Sequence, residues 1–217
     1  MPVPDEVAFG HDTRTGAMTY GDVRSLDDEG KLRALKRRLD TFFIVQVDEL
    51  GKAEKGTAKV YSPFPLALLT CVGIETLGQV MYHDDRRAKE EAQREGFLRV
   101  AKSLHRNFSR PLKKDDKLAI KRLFPEKEAG KIETVAQLLY YYQRNTLIHG
   151  YQSRGVYLTE DLPEWDLSEG SFALNPYWFW RSFKARYEEL FLDLFSNKEP
   201  TNSLRKSALS YLSKMLA

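Results

Sequence analysis

The stretch Pro63–Tyr82, PFPLALLTCVGIETLGQVMY, decides how the rest of the chain is read. Leu66, Ala67, Leu68, Leu69, Cys71, Val72, Ile74, Leu77, Val80 and Met81 leave it almost no polar face. By length it could span a bilayer. Glu75, Gln79 and the glycines Gly73 and Gly78 interrupt the run, and nothing else in the chain looks lipid-facing. A helix that is apolar all round is otherwise the buried centre of a helical domain. The expectation is therefore an all-α bundle with no membrane partner. Glu75 then stands out, because a carboxylate inside such a helix must be paired, hydrogen-bonded or neutral. It is either half of a structural ion pair with an Arg or Lys, or a partner that orients a functional group.

Helical periodicity recurs on both sides of this stretch. Leu32, Leu35, Leu39, Phe42, Phe43 and Val47 step by three and four, which predicts a helix over about 27–50 with Gly51 as its C-cap. Phe97, Val100, Ala101, Leu104 and Phe108 form the inward stripe of a helix over about 84–108, with Asp84 and Asp85 at its positive end. A shorter helix over about 115–124 stops at Pro125. From about Lys131, the residues Val135, Leu138, Leu139, Tyr142, Thr146 and His149 share one helical face, and Gly150 follows as a C′ residue. Asn175-Pro176 reads as the N-cap and first turn of an aromatic-rich helix over 177–196. Its rings are expected in core or dimer packing rather than against bases. A last helix covers about 202–215.

Two short runs, Gly155–Leu158 and Ser171–Leu174, could pair as a small β-hairpin insertion around an acidic loop. Residues 1–24 hold Pro2, Pro4, Gly10, Gly16 and Gly21 and no sustained period, so they read as an extended or partly disordered arm. His11 is a solvated loop histidine in this reading. The arm precedes a single helical domain over 25–217.

Composition narrows the class. At 42% hydrophobic and 30% charged, the 217 residues can bury a core and are not biased toward disorder. A single cysteine, Cys71, forms no internal disulfide, and Met1–Asp5 has neither a basic nor an apolar leader region. Both fit a reducing cytoplasm. Net charge is +3, but it is unevenly spread. Arg86–Arg122 holds 13 Lys/Arg against 5 Asp/Glu, a local +8 that leaves −5 for the remainder. Thr159–Glu169 is acidic throughout. The pattern resembles a nucleic-acid face and its opposite, or else solvated helix faces on which Glu90, Glu91 and Glu95 pair with neighbouring cations.

No Walker-type loop, nucleophile elbow, zinc cysteine pair or HExxH pattern is present. The densest chemistry lies in Gln143–Tyr151, QRNTLIHGY. Arg144 carries a planar fork that matches phosphate oxygens. His149 titrates near neutrality, and its protonated form is favoured at a helix C-terminus. Together they can stabilise a charged phosphorane and move a proton. RNA supplies its own nucleophile, the 2′-hydroxyl, so this chemistry needs no metal and no cofactor. Five residues along an ideal helix is a rotation of about 140°, so the two side chains of one copy converge poorly. Two copies packed across a two-fold axis would bring four groups into one cleft, and the motif therefore argues for a homodimer.

Arg144-Asn145-x3-His149 resembles the Arg-Asn-x3-His form of the motif of the HEPN superfamily, on a helical chain with a very apolar early helix and the motif at the end of a later one. Continued to Tyr151, it is similar to the Arg-x4-His-x-Tyr form of HEPN toxins. The resemblance implies a HEPN-like bundle and a homodimeric, metal-independent endoribonuclease, a toxin or antiviral-defence effector. Arg144 and His149 of both chains would line the cleft, and Asn145 would orient phosphate or His149. Tyr151 would be adenylylated by a partner nucleotidyltransferase antitoxin, or is simply a residue capping the helix end. The chain is longer than the compact toxins, a departure that bears on the toxin subfamily more than on the superfamily. The alternative is a silent HEPN-like module that binds RNA or a protein partner.

Overall fold

A computed structural model of the chain describes residues 3–12, 16–53, 63–84, 87–124, 129–142, 156–168, 171–196 and 202–217. In chain order its elements are β1 (Ala8–Asp12), β2 (Gly16–Thr19), α1 (Tyr20–Ser25), α2 (Asp28–Leu39), a π-helical turn (Asp40–Ile44), α3 (Val45–Ala53), α4 (Pro63–Met81), α5 (Lys89–Leu104), a 3-10 turn (Arg106–Ser109), α6 (Lys114–Leu123), α7 (Val135–Tyr142), β3 (Val156–Leu158), β4 (Trp165–Ser168), β5 (Ser171–Leu174), α8 (Pro176–Phe195) and α9 (Asn202–Leu216). The fold is mainly helical.

The helix α4 is the centre of the bundle. It packs against α5, α8 and α9, and Leu66, Ala67, Ile74, Leu77, Val80 and Met81 are buried. Its buried Thr70 hydroxyl donates to the Leu66 carbonyl at 2.7 Å. The glycines that interrupt its apolar run mark where neighbours come closest. A Cβ on Gly96 of α5 would lie 2.7 Å from the Gly78 carbonyl oxygen, so the two helices cross glycine on glycine. A Cβ on Gly73 would lie 2.7 Å from the rings of both Phe43 and Phe183. Among the described residues α4 is the one helix long and apolar enough to cross a membrane, and 56% of its apolar window is buried inside the protein. The burial is less complete than the sequence predicts: Val72 is exposed and Glu75 half-buried.

The aromatic helix α8 follows its sequence signals closely. Asn175 caps it, accepting from the Tyr177 and Trp178 amides, with Pro176 in the first turn. Phe179, Trp180, Phe183, Tyr187 and Phe191 are buried, as core packing requires.

Several expectations are corrected. Residues 8–12 and 16–24 carry regular structure: β1 and β2 pair antiparallel, and Thr19 and Asp22 form a reciprocal cap on α1. His11 sits in β1, paired with Ala17, and not in a loop. The segment is held because Phe9, Tyr20 and Val23 are buried and the Arg38 guanidinium lies 4.9 Å from the Phe9 ring. Arg24 also donates to the Leu216 carbonyl at 2.8 Å, tying this end to the last helix. The predicted first helix continues through a π-helical turn, and Gly51 lies inside α3 rather than capping it. The third helix starts at Lys89, five residues late, so Asp84 lies before it, paired with Arg87 at 3.3 Å. Asp85 lies outside the described residues. The strand pair is not a hairpin. β3 runs parallel to β5, and β4, drawn from the acidic stretch, pairs antiparallel with the other edge of β5.

Candidate functional site

The helix that leads to the Arg-Asn-x3-His motif begins with a reciprocal cap. The Thr134 hydroxyl accepts from the Gln137 amide at 3.3 Å, while Gln137 Oε1 accepts from the Thr134 amide at 3.0 Å. Its start is therefore Val135 and not Lys131. Leu138, Leu139 and Tyr142 are buried on the predicted face. Arg144, Asn145, His149 and Tyr151 lie in 143–155, outside the described residues, as does Gly150.

The flanks of that segment are well defined. Tyr142, its N-terminal neighbour, has its ring 6.5 Å from the ring of Phe172 in β5. Val156, its C-terminal neighbour, is paired in register with the same Phe172. The described residues on both sides of the 13-residue segment thus lie beside Phe172, Tyr142 by its ring and Val156 by strand register, and Phe172 is fully buried.

Glu75 belongs to the same neighbourhood. Cys71 and Tyr142 are buried together, and burial pushes the thiol and the phenol well above their ordinary values. The Glu75 charge adds to the effect on Cys71, and Cys71 to that on Tyr142. Glu75 lies one turn beyond Cys71 on α4. Cys71 stays a thiol near neutrality and is not a nucleophile.

The charged stretch divides in two. Arg87, just before α5, pairs with Glu91 at 3.4 Å, and within the helix Arg99 pairs with Glu95 at 3.1 Å, the solvated helix face anticipated for Glu91 and Glu95. Further on, Lys102, Arg106, Arg110, Lys113, Lys114, Lys117 and Lys121 are exposed, and none makes an ion pair among the described residues. The acidic stretch is not opposite this cationic run. α6 packs against β4, and His105 Nε2 lies 3.4 Å from Glu164 Oε2. His105 is held by the Phe108 and Trp178 rings at 5.8 and 5.7 Å, and its Nδ1 accepts from the Asn107 amide.

Sequence reading also missed a cleft at the C-terminal end of α4. Tyr82, His83, Asp84 and Arg87 come together there with α9, which brings Tyr211 and Lys214. The approach of α9 had no sequence signal. Among the described residues no group of three or more His, Cys, Asp or Glu could hold a metal ion. No protein-family model, curated protein or solved structure matches the chain.

Proposed function

We propose that the chain is a metal-independent endoribonuclease of the HEPN type, a toxin or antiviral-defence effector acting as a homodimer. The observation that carries this is the Arg144-Asn145-x3-His149 spacing, in a segment whose two flanks are anchored at Phe172. In the proposed reaction a 2′-oxygen attacks the adjacent phosphorus and the bond to the 5′-oxygen breaks. The 2′-hydroxyl proton passes to a base, and the leaving 5′-oxygen takes one up from an acid; His149 supplies these proton positions. Arg144 stabilises the charge on the phosphorane, and Asn145 orients phosphate or His149. The products are a 2′,3′-cyclic phosphate and a 5′-hydroxyl. Glu75 supports the motif from α4. Tyr151 is the regulatory position, open to adenylylation by a nucleotidyltransferase antitoxin.

The test is RNA cleavage in EDTA by wild type, Arg144→Ala and His149→Ala. Each substitution is expected to lower the rate by about 100-fold or more while the chain stays folded. Equal cleavage by the variants removes the reading. One observation favours a second reading: the exposed cations of α6 and the adjoining turn, which make no ion pair among the described residues, suit RNA binding without turnover. That module would bind RNA with strong salt dependence and cut nothing.

A further inference from the structure

The cleft at the end of α4 has two lobes that share Tyr82, His83, Asp84, Arg87 and Ala92. The larger, about 520 Å³, is mostly apolar and is walled by Tyr82, Tyr211 and Met215, with Lys89 and Lys214 also lining it. The smaller, about 320 Å³, is mostly polar and is lined by Arg99, Ser203, Ser207 and Glu95. We infer that this cleft binds a nucleotide, with the base in the aromatic lobe and the phosphate in the polar one.

The volume of the larger lobe falls in the range of small-molecule sites, about 300–1,000 Å³. Its rings are already mutually oriented: His83 lies edge-on to Tyr211 with centroids 6.0 Å apart. Flat aromatic walls favour any base, since every base has a π-face. The lining holds four cations: Lys89 and Lys214 in the larger lobe, Arg99 in the smaller, where it is tied to Glu95 at 3.1 Å, and Arg87, which borders both lobes and is the guanidinium placed to meet a phosphate. Among the described residues Arg87 is held by long contacts, 3.3 Å to Asp84 and 3.4 Å to Glu91. A charge-assisted bond of full strength is about 2.7–2.9 Å, so a phosphate would engage this guanidinium better than its present partners. The Ser203 and Ser207 hydroxyls add donors, and the Asp84 carboxylate at the neck suits a ribose hydroxyl. The inference stands apart from ribonuclease activity, because none of these residues belongs to the 143–155 segment.

The nucleotide could be free or the phosphorylated end of an RNA strand. Calorimetric titration of the full chain with adenosine and guanosine monophosphates tests the site. The expected result is a Kd below about 1 mM, with adenosine and inorganic phosphate each about tenfold weaker or worse. Arg87→Ala, on the surface, should weaken binding by about tenfold or more. Ala92→Trp, which fills the neck between the lobes, should abolish it. A short 2′-O-methyl oligonucleotide with a 5′-phosphate, compared with its 5′-hydroxyl form, identifies the source. A preference for the phosphorylated strand over the mononucleotide assigns a strand end, and the reverse assigns a free nucleotide. The absence of binding by either monophosphate, or binding by Arg87→Ala and Ala92→Trp equal to wild type, overturns the inference.

Discussion

Tyr187 is held at the junction of three elements. Its hydroxyl donates to Asp40 Oδ1 at 2.7 Å, at the first residue of the π-helical turn. Asp40 is also paired with Lys36 at 2.9 Å, whose ammonium lies 5.2 Å from the Tyr187 ring. Tyr187→Phe keeps the ring and removes the donor. It should cost about 1–2 kcal/mol, because Asp40 loses a buried partner yet retains Lys36. Denaturant unfolding measures this; a variant as stable as wild type would show that the bond contributes nothing. Gly78 is a harder constraint. An added methyl at Gly78 or Gly96 meets backbone, which cannot rotate away. Gly78→Ala should therefore destabilise by about 2–3 kcal/mol or more, as overpacking does. A small change in the unfolding midpoint would mean that α4 and α5 can slide apart. At this scale the sequence was partly readable. Gly73 and Gly78 were visible as interruptions, but an interruption cannot say that a second helix crosses there. That depends on Gly96, which lies on another element.

At the scale of elements, α7 carries the argument. Its start is fixed by the Thr134–Gln137 cap, and its buried face by Leu138, Leu139 and Tyr142. Thr134→Ala or Gln137→Ala should each cost about 1 kcal/mol, read as a fall in the denaturation midpoint. No change in either would remove the cap from the account. The signal was present, since Thr-x-x-Gln is a start signature, and apolar periodicity alone carried the predicted start back to Lys131. Helices with strong local signals, such as α4, α6 and the Asn175-Pro176-capped α8, were legible to within a residue or two. The three-stranded sheet was not. Strand pairing is set by long-range contacts, and three-residue β3 has too few side chains to announce a parallel partner. The same holds at the N-terminus, where Phe9 is buried by a stack with Arg38 that no local pattern encodes.

Across the whole molecule, protons report on burial. Cys71, Tyr142, Tyr187 and Tyr211 all hold their protons to higher pH than they would in an unfolded chain, burial being the first cause in each. Unfolded, the thiol titrates near 9.0 and the phenols near 10.0. Above those values the unfolded state releases protons that the folded state keeps, so stability falls as pH rises. The expected Tm is flat near neutrality and drops from about pH 9 upward, and Tyr187→Phe makes the drop shallower. A Tm that holds steady to pH 11 or beyond would contradict the burial of these groups.

The whole-molecule claim is that two copies form one metal-free cleft in which RNA attacks itself. The motif was the most legible part of the chain and lies outside the described residues; Glu75 already stood out in the sequence, while the approach of Tyr142 and Val156 to Phe172 became visible only in three dimensions. The decisive measurement is end-group analysis of RNA incubated with the chain in EDTA, with an all-2′-O-methyl strand alongside. The account predicts 2′,3′-cyclic phosphate and 5′-hydroxyl ends from RNA, and an intact 2′-O-methyl strand. Cleavage of the 2′-O-methyl strand, or no cleavage of any RNA by the wild-type chain, would contradict it.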